Sequence, residues 1–600
     1  MKLRIASFGV VAVAAWFLPY QLDLYGIHVM DIAIVFALLA VGLGLAMGVG
    51  GQINLAQVAF FGVSAYAVAI LTTKAGLGFW TSAVLALLAA ALVGIFVGIP
   101  ALRMQSHYLG IVTLGLALAF TNWVTNSTLT GGADGISGIP VPPVFGIDMS
   151  NEYLYYYVEL IVFALALGFA GFVASTGLGR RMRAMRDDSL AAGAVGAPVP
   201  ILRMTAFVLA SLYGGVAGVL YAGLIRYVAP ETFSIANMFL LLAMVIIGGR
   251  QSILGCVVGA IALSLLREAL VDFSVYAQLG FGIVVVLMVV FAPTGLAGIP
   301  SRLRRVMRRT ATGERAVLRP FDPGQADAGD RVGASLEISG ISKHFRGLSA
   351  LADVSMSVAP GEIRGVVGPN GSGKTTLFNI VSGIYSVSSG SASVDGRVVT
   401  GRRPHQLSRL GLARTFQNLR LFGQMTVRDN VLVALDRSSM WAVWRYLLWP
   451  VGVLRGERDL RARADDLLTR FGLTDFAGAA PRSLPYGIQR RLEIARAMAT
   501  QPALLLLDEP AAGLNGQEVA QLSEIVRSIR DSGVTVVLIE HNMGLVMSLC
   551  DRVTVLASGS VIADGTPAEV AVRPEVIEAY LGDSMNTDEI AAEVESEVAR

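Results

Sequence analysis

One stretch of the sequence decides the fold of the second half of the chain: Gly368-Pro369-Asn370-Gly371-Ser372-Gly373-Lys374-Thr375. It fits the pattern G-x-x-x-x-G-K-[ST], in which glycines let backbone N–H groups close around phosphates. A strand-like run at 363–367 precedes it, and a helix-like stretch that begins with Thr376 follows it. We therefore expect a nucleotide site that includes Thr376, with Lys374 facing the β- and γ-phosphates and the Thr375 hydroxyl facing Mg²⁺. The pattern alone leaves a Gly-rich turn as the alternative.

A second feature, further along the chain, argues against a simple turn. The apolar run 504–507 is typical of a buried parallel strand and ends in Asp508-Glu509-Pro510. A carboxylate at the tip of such a strand can hold Mg²⁺, and Glu509 can take the proton of an attacking water. The alternative is that the two carboxylates only cap the next helix, but this would not account for their spacing from a phosphate-binding loop. The two features together predict a site for ATP and Mg²⁺.

Composition places the rest of the chain in a membrane. The 600 residues are too many for one hydrophobic core, so at least two domains are expected. Hydrophobic residues make up 54% and charged residues 15%, whereas soluble proteins have roughly 25% charged residues. The net charge of +3 is too small to indicate a nucleic-acid partner. Cys256 and Cys550 are expected to be buried small hydrophobes, without a disulfide or metal role.

The composition changes abruptly near residue 301, where apolar runs give way to a basic cluster and a polar stretch. We predict a transmembrane domain at 1–300, a cytoplasmic linker at 301–335, a nucleotide-binding domain at 336–582 and a disordered acidic tail at 583–600. A bilayer needs about 20 apolar residues per helix, which gives about ten spans. The candidate spans are 4–20, 30–48, 54–72, 82–100, 108–122, 155–174, 203–223, 235–249, 252–267 and 276–292.

Basic residues orient these spans, because loops rich in Lys and Arg stay in the cytoplasm. The cluster Arg180–Arg186 and the cluster after Pro300 are both expected there, and the four spans between them make the two assignments agree. The acidic residues Asp134 and Glu231 then lie outside. The first apolar run could instead be a signal peptide, since Lys2 and Arg4 precede it.

The segment from about 337 to 582 resembles an ABC ATPase, because further motifs of that family follow in the family's order. The resemblance implies the following roles: Phe345 stacks on adenine, Gln417 senses Mg²⁺ and the permease, Pro485 and Gly487 lie in the signature motif at 484–491, Asn515 ends the D-loop, and His541 contacts the γ-phosphate. It implies catalytic roles for Glu509, His541 and Gln417, and Mg²⁺ contacts for Thr375, Gln417 and Asp508. The predicted fold is a polytopic all-α membrane domain followed by an α/β P-loop ABC ATPase domain.

More narrowly, both halves resemble the branched-chain amino acid importers. The matching ATPase segments are 486–496, 508–515 and 574–582, and the matching permease segments are 51–55, 108–115 and 130–140. The stretch 179–196 resembles the coupling loop of ABC importers, a short helix that docks on an ATPase. On charge alone it could also be a basic stop signal next to the membrane. In this family permease and ATPase are usually separate chains, and here they are joined.

The resemblance implies ATP-driven import of branched-chain or related amino acids across a bacterial inner membrane, with the ATPase domain in the cytoplasm. The implied partners are a second permease, a second ABC ATPase, an extracytoplasmic substrate-binding protein, the amino-acid substrate and the lipid bilayer. Three alternatives stay open at this point. They are the same machine for urea or other amides, an ABC exporter half-transporter, and a membrane ATPase that transports nothing.

Overall fold

The computed structural model describes residues 13–101, 104, 106–143, 149–270, 277–291, 295–298, 320–321, 333–436 and 450–581. Most of the predicted span at 4–20, most of the linker and the acidic tail lie outside these residues. The chain divides into two compact units. The first contains residues 1–186 and 200–314, and the second contains 187–199 and 315–600. The segment 187–199 therefore clusters with the ATPase half, although it lies inside the predicted membrane domain.

The first unit is helical. In chain order, the helices before residue 300 are α1 (Leu24–Leu43), α2 (Gln57–Thr73), α3 (Phe79–Ala101), α4 (Ser106–Asn126), α5 (Glu152–Ser175), α6 (Gly177–Asp187), α7 (Ser189–Ala194), α8 (Val199–Ile225), α9 (Ile235–Gly248), α10 (Ile253–Ala269) and α11 (Ala277–Phe291). Of these, α7 belongs to the second unit. Two short strands, β1 (Ile136–Ser137) and β2 (Tyr227–Val228), pair antiparallel. Among the described helices, five are long and apolar enough to cross a membrane: Leu24–Val49, Phe79–Pro100, Tyr108–Asn126, Glu152–Ser175 and Val199–Ile225. The count of ten spans stays a prediction.

Glycines let two of these helices approach each other at backbone distance. A Cβ atom at Gly259 of α10 would lie 2.1 Å from the carbonyl oxygen of Met244 in α9. A Cβ atom at Gly248 would lie 2.0 Å from the carbonyl oxygen of Gly255. Small residues are the usual means of close helix packing in membranes, where apolar side chains gain little by leaving lipid.

The second unit contains two sheets and their covering helices. Its strands are β3 (Leu336–Phe345), β4 (Leu348–Val358), β5 (Ile363–Val367), β6 (Ser389–Val394), β7 (Arg397–Val398), β8 (Leu412–Arg414), β9 (Leu504–Asp508), β10 (Thr535–Ile539), β11 (Arg552–Ala557) and β12 (Ser560–Gly565). Its helices are α12 (Lys374–Val381), α13 (Pro404–Arg409), α14 (Val427–Leu435), α15 (Pro450–Arg470), α16 (Tyr486–Ala499), α17 (Gly516–Asp531), α18 (Met543–Leu549), α19 (Pro567–Ala571) and α20 (Pro574–Leu581).

The six-stranded sheet has the order β12-β11-β5-β10-β9-β8, and the four-stranded antiparallel sheet has the order β4-β3-β6-β7. From β11 to β8 the pairings are parallel. Strands β5, β9 and β10 are buried along their whole length, as expected of central parallel strands with largely apolar sequences. Arg364 in β5 and Asp508 at the end of β9 are buried charged residues. Ile539 at the end of β10 is in register with Asp508 on one side and Val366 on the other. The loops that follow these three strands therefore meet at one edge of the sheet.

The close contact between α9 and α10 gives a prediction about stability. Gly259→Val should destabilise the protein by about 1–3 kcal/mol or more, because the added side chain has no room against the Met244 carbonyl. Gly171→Val is the matched control, since a Cβ at Gly171 in α5 meets nothing within 4 Å. The thermal unfolding of the full chain, purified in detergent, measures the difference. Equal melting temperatures for the two variants would contradict the packing described.

Candidate ATPase site

The phosphate-binding loop (residues 368–375) joins β5 to α12, and two of its glycines are required by their surroundings. Gly373 has φ +100°, and a Cβ there would lie 2.6 Å from Leu351 Cδ2. Gly368 has φ +148°, and its Cβ would lie 2.0 Å from the carbonyl oxygen of Leu556. Only glycine fits either position without strain. The predicted strand–loop–helix context is present.

Lys374 is the first residue of α12 and folds back over the loop. Its side chain is 8% exposed, and Nζ donates to the carbonyl oxygens of Gly368 at 2.7 Å and Pro369 at 2.8 Å. Burial lowers the pKa of Lys374, and the nearby carboxylates of Glu509 and Asp508 oppose this effect. The ammonium group is therefore held inside the loop where phosphate oxygens would replace the carbonyls. The other loop residues are placed as follows: Ser372 is buried, Thr376 is half-buried, and Asn370, Gly371 and Thr375 are exposed.

Asp508 ends β9 and is 1% exposed. Its Oδ2 accepts a hydrogen bond from Arg414 Nη2 at 2.8 Å, whereas its Oδ1 has no hydrogen-bond partner among the described residues. Burial raises the pKa of Asp508, and the guanidinium of Arg414 opposes the shift. A buried carboxylate oxygen without a partner is costly unless a cation or a water satisfies it. Asp508 Oδ1 is therefore suited to bind Mg²⁺.

Glu509 and Gln417 are brought together by the sheet. Gln417 follows β8, which pairs with β9, and its Nε2 donates to Glu509 Oε2 at 2.9 Å. Glu509 has φ +45°, a conformation that residues other than glycine adopt at a cost of about 1–3 kcal/mol. Strain of this kind is found at functional sites, and here it directs the carboxylate toward Gln417.

A buried ion pair within the signature-like helix α16, for which the sequence predicts no role, holds the backbone at Gln417. Arg490 and Glu493 of α16 each have side chains that are 1% exposed, and Arg490 Nη1 lies 2.7 Å from Glu493 Oε2. The same arginine donates to the carbonyl oxygens of Phe416 at 2.9 Å and Gln417 at 3.1 Å. The helix also buries Arg491 and Arg496, so the sequence alone does not single out this pair.

For three predicted residues, the described part of the chain shows no hydrogen bond to Lys374, Asp508 or Glu509. His541 is exposed and follows β10, next to Glu540, whose buried carboxylate accepts from the Ala511 N–H at 2.8 Å. Phe345 is 38% exposed and packs edge-on against Tyr385. The roles predicted for these side chains and for Pro485 stay predictions.

Pro485 and Gly487 begin the helix that carries Arg490. Pro485 is the N-cap residue of α16 and provides no side-chain hydrogen bond to the helix. A Cβ at Gly487 would lie 2.3 Å from Glu518 Oε1. Glu518 and Asn515 form a capping box at the start of α17, which ties the predicted D-loop residue to the signature-like helix.

The segment 187–199 contacts the stretch that follows Gln417. Asp188 caps α7 by accepting from the N–H groups of Leu190 and Ala191, and its Oδ2 lies 2.8 Å from Arg420 Nη1. Asp187 Oδ2 accepts from the Gln424 N–H at 3.0 Å. Arg420 also stacks on Phe416, with its guanidinium carbon 5.4 Å from the ring centroid. The short helix predicted to dock on an ATPase does contact the ATPase half.

Comparisons with known proteins match both units. Residues 27–293 match the permease component of branched-chain amino acid transport systems, 351–512 match the ABC transporter family, and 560–585 match the branched-chain amino acid ATP-binding cassette transporters. The transport ATP-binding protein BraF of Pseudomonas aeruginosa is 43% identical over 42% of this chain and 98% of its own length. The chain belongs to the branched-chain amino acid ABC transporter family.

The permease half of this transporter has its own relatives. The high-affinity branched-chain amino acid permease protein LivM of Escherichia coli K12 is 32% identical over 52% of this chain and 79% of its own length. A crystal structure of a nucleotide-free ATP-binding cassette is 29% identical over 41% of this chain and 98% of its own, with a TM-score of 0.37. The family matches and the relatives BraF and LivM show that the transporter is a permease fused to an ABC ATPase, whose ATP hydrolysis is coupled to transport.

Removing single groups from the ATPase site should separate binding from hydrolysis. Lys374→Ala should abolish productive ATP binding, since it removes the cation that faces the phosphates. Glu509→Gln should keep binding but lower turnover by about 10²–10⁴, the usual contribution of a general base. Nucleotide binding and phosphate release by the purified transporter measure both effects. Glu524→Gln is the control, because Glu524 is exposed on α17. Normal turnover in the Glu509→Gln variant would remove this residue from its predicted role.

Proposed function

We propose that this chain imports branched-chain amino acids across the inner membrane, with the ATPase domain in the cytoplasm. The observation that carries the proposal is the fusion itself. One half is similar to permeases and the other to ATP-binding proteins of the same kind of transport system. The exporter and the urea importer that the sequence left open find no support in these relatives.

In the proposed mechanism the residues of the ATPase site have separate tasks. Lys374 and the loop N–H groups hold the phosphates, and Phe345 stacks on the adenine. Asp508, Thr375 and Gln417 would hold Mg²⁺, which neutralises charge on the phosphate oxygens when bound. Glu509 takes a proton from the attacking water while the Gln417 amide orients its carboxylate. His541 contacts the terminal phosphate from the end of β10.

Coupling runs through the short stretch between Gln417 and Gln424. Gln417 touches Glu509, and Arg420, three residues later, touches Asp188. A displacement of the Gln417 loop when ATP binds or is hydrolysed therefore moves the contacts of the 187–199 segment. This segment continues directly into α8 of the permease unit, so it connects the site of hydrolysis to a membrane helix.

The assembly needs partners beyond this chain. A second ATPase completes each ATP site by placing its signature motif opposite the phosphate-binding loop, and a second permease completes the path through the bilayer. A substrate-binding protein delivers the amino acid on the extracytoplasmic side. The support for these partners is the family to which the chain belongs.

The transport proposal is tested by uptake of labelled leucine in cells that express this chain with its neighbouring transport genes. Uptake should depend on the chain and should disappear in the Lys374→Ala variant, because the energy source is lost. Excess valine or isoleucine should compete, and excess urea should not. Leucine uptake that is unchanged by deletion of the chain would contradict the proposal.

The orientation is tested by single cysteines in a background without Cys256 and Cys550. Asp134→Cys should react with a membrane-impermeant thiol reagent added outside intact cells, since the acidic loops are predicted to face outward. Ser189→Cys should react only after the cells are opened. Both residues are exposed within their own units. Labelling of position 134 from the cytoplasmic side alone would overturn the predicted topology.

The signature motif gives a further prediction about the two ATP sites. Proline at 485 has no N–H and no hydroxyl, whereas most ABC signatures place a serine there. The loss of one charge-assisted hydrogen bond costs about 1.5–3 kcal/mol, or roughly ten- to a hundredfold in an equilibrium. The site that Pro485 completes should therefore hydrolyse more slowly than the site built on Lys374 and Glu509. The alternative is that the motif tolerates proline, because Gly487 and the start of α16 still offer N–H groups to the phosphate.

Two comparisons decide between an unequal and an equal pair of sites. Blocking each phosphate-binding loop in turn should give unequal losses of turnover in the assembled transporter, and Pro485→Ser should raise the activity of the slower site. A homodimer would carry the defect in both sites. Equal losses with no gain from Pro485→Ser would contradict the asymmetry.

A further inference from the structure

A cavity of about 490 Å³ lies in the first unit between α1, α8, α9, α10 and the 3₁₀ turn Pro230–Phe233. It is framed by the start of α1, the end of α8, the start of α9 and the end of α10. All four ends lie on the side that the basic clusters place outside the cell. The volume is in the range of small-molecule sites, about 300–1,000 Å³.

Charges of both signs line the mouth of this cavity. Arg267 is exposed near the end of α10, and its guanidinium makes no hydrogen bond or ion pair with any described residue. Glu231 is also exposed and has no such partner, and the carboxylate of Glu268 accepts only from the Tyr25 hydroxyl among the described residues. A cation and two carboxylates thus face one cavity without neutralising one another.

The deeper wall of the cavity is apolar. It is formed by Val29, Ile32, Phe36, Leu240 and Met244. On α1 the lining runs from Tyr25 to Phe36, about 16 Å along the helix at 1.5 Å per residue. Ser264, which precedes Arg267 by three residues on α10, also lines the cavity, and its buried Oγ has no hydrogen-bond partner among the described residues. A buried hydroxyl without a partner favours a polar ligand group beside it.

We propose that this cavity is a binding site within the permease for a zwitterionic amino acid with an apolar side chain. Arg267 receives the carboxylate, for which the planar guanidinium is suited, and Glu231 or Glu268 receives the ammonium. The aliphatic side chain lies against the apolar wall. A neutral amide such as urea would leave the charges unpaired, and an acid or an amine alone would satisfy only one sign. The inference rests on the proposed function and adds a second selection step after the binding protein.

The site is tested by protection of a single cysteine in the assembled, reconstituted transporter without Cys256 and Cys550. Leucine should slow the reaction of Ser264→Cys with a thiol reagent added from the extracytoplasmic side. 4-Methylpentanoate, which lacks the amine, and isoamylamine, which lacks the carboxylate, should not. Val29→Cys is the second reporter, in case substitution at 264 disturbs folding.

The role of Arg267 has its own control. Arg267→Gln should raise the leucine concentration needed for half-protection about ten- to a hundredfold, and Arg267→Lys should recover part of the loss. Arg226→Gln should change nothing, because Arg226 is an exposed arginine at the end of α8 that does not line the cavity.

The remaining outcomes separate this proposal from the proposed function. ATP-dependent leucine uptake without protection at either cysteine, or with cysteines that never react, would overturn the cavity site and leave import intact. Equal protection by the two analogues would overturn the requirement for a zwitterion. Absence of both uptake and protection would overturn the import proposal together with this one.

Discussion

The parallel register of β5, β10 and β9 is the constraint on which the ATPase half depends. Ile539 lies opposite both Val366 and Asp508, so the three strands end together. The phosphate-binding loop, the Asp508-Glu509 pair and the Glu540-His541 pair follow these strands and are therefore neighbours. A shift of one strand by a residue would separate Lys374 from Asp508 and Glu509, the carboxylates that we propose to act on the same nucleotide.

Charged side chains connect this edge of the sheet to Asp188, which lies in the segment 187–199 between helices α6 and α8. Arg490 holds the Phe416 and Gln417 carbonyls, and its own charge is balanced by Glu493. Removing one partner of such a pair typically costs about 3–5 kcal/mol, because the other charge stays buried. Three residues after Gln417, whose carbonyl Arg490 holds, Arg420 reaches Asp188. In the proposed mechanism, a movement of Glu509 is transmitted through Gln417 and Arg420 to Asp188.

The sequence predicted the groups that the structure brings together at the ends of β5, β9 and β10, but not the residues that support them. The glycine pattern at 368–375 and the carboxylates after 504–507 are local signals, each set by the chemistry of one strand end. Arg414 and Arg420 were not predicted, because their partners are distant in the chain; Arg420 and Asp188 are 232 residues apart. Arg490 lies in the segment that resembles the signature motif, but its contacts with the carbonyls of Phe416 and Gln417 were not predicted. Residues 179–196 were predicted as a docking segment, but only the structure identifies the part, 187–199, that clusters with the ATPase half and the groups that it contacts. The cavity near Arg267 draws on five separate elements, and no local pattern marks it.

The central claim is that hydrolysis at Glu509 drives import through the contact between Arg420 and Asp188. The most direct measurement compares ATP hydrolysis and leucine uptake in the same proteoliposomes for Arg420→Gln and for Arg458→Gln, an exposed arginine of α15 that serves as control. The account predicts that Arg420→Gln retains most of its hydrolysis but loses uptake, so that more ATP is consumed per leucine imported, while Arg458→Gln behaves as the unmodified protein. An unchanged ratio of hydrolysis to uptake in Arg420→Gln would contradict it.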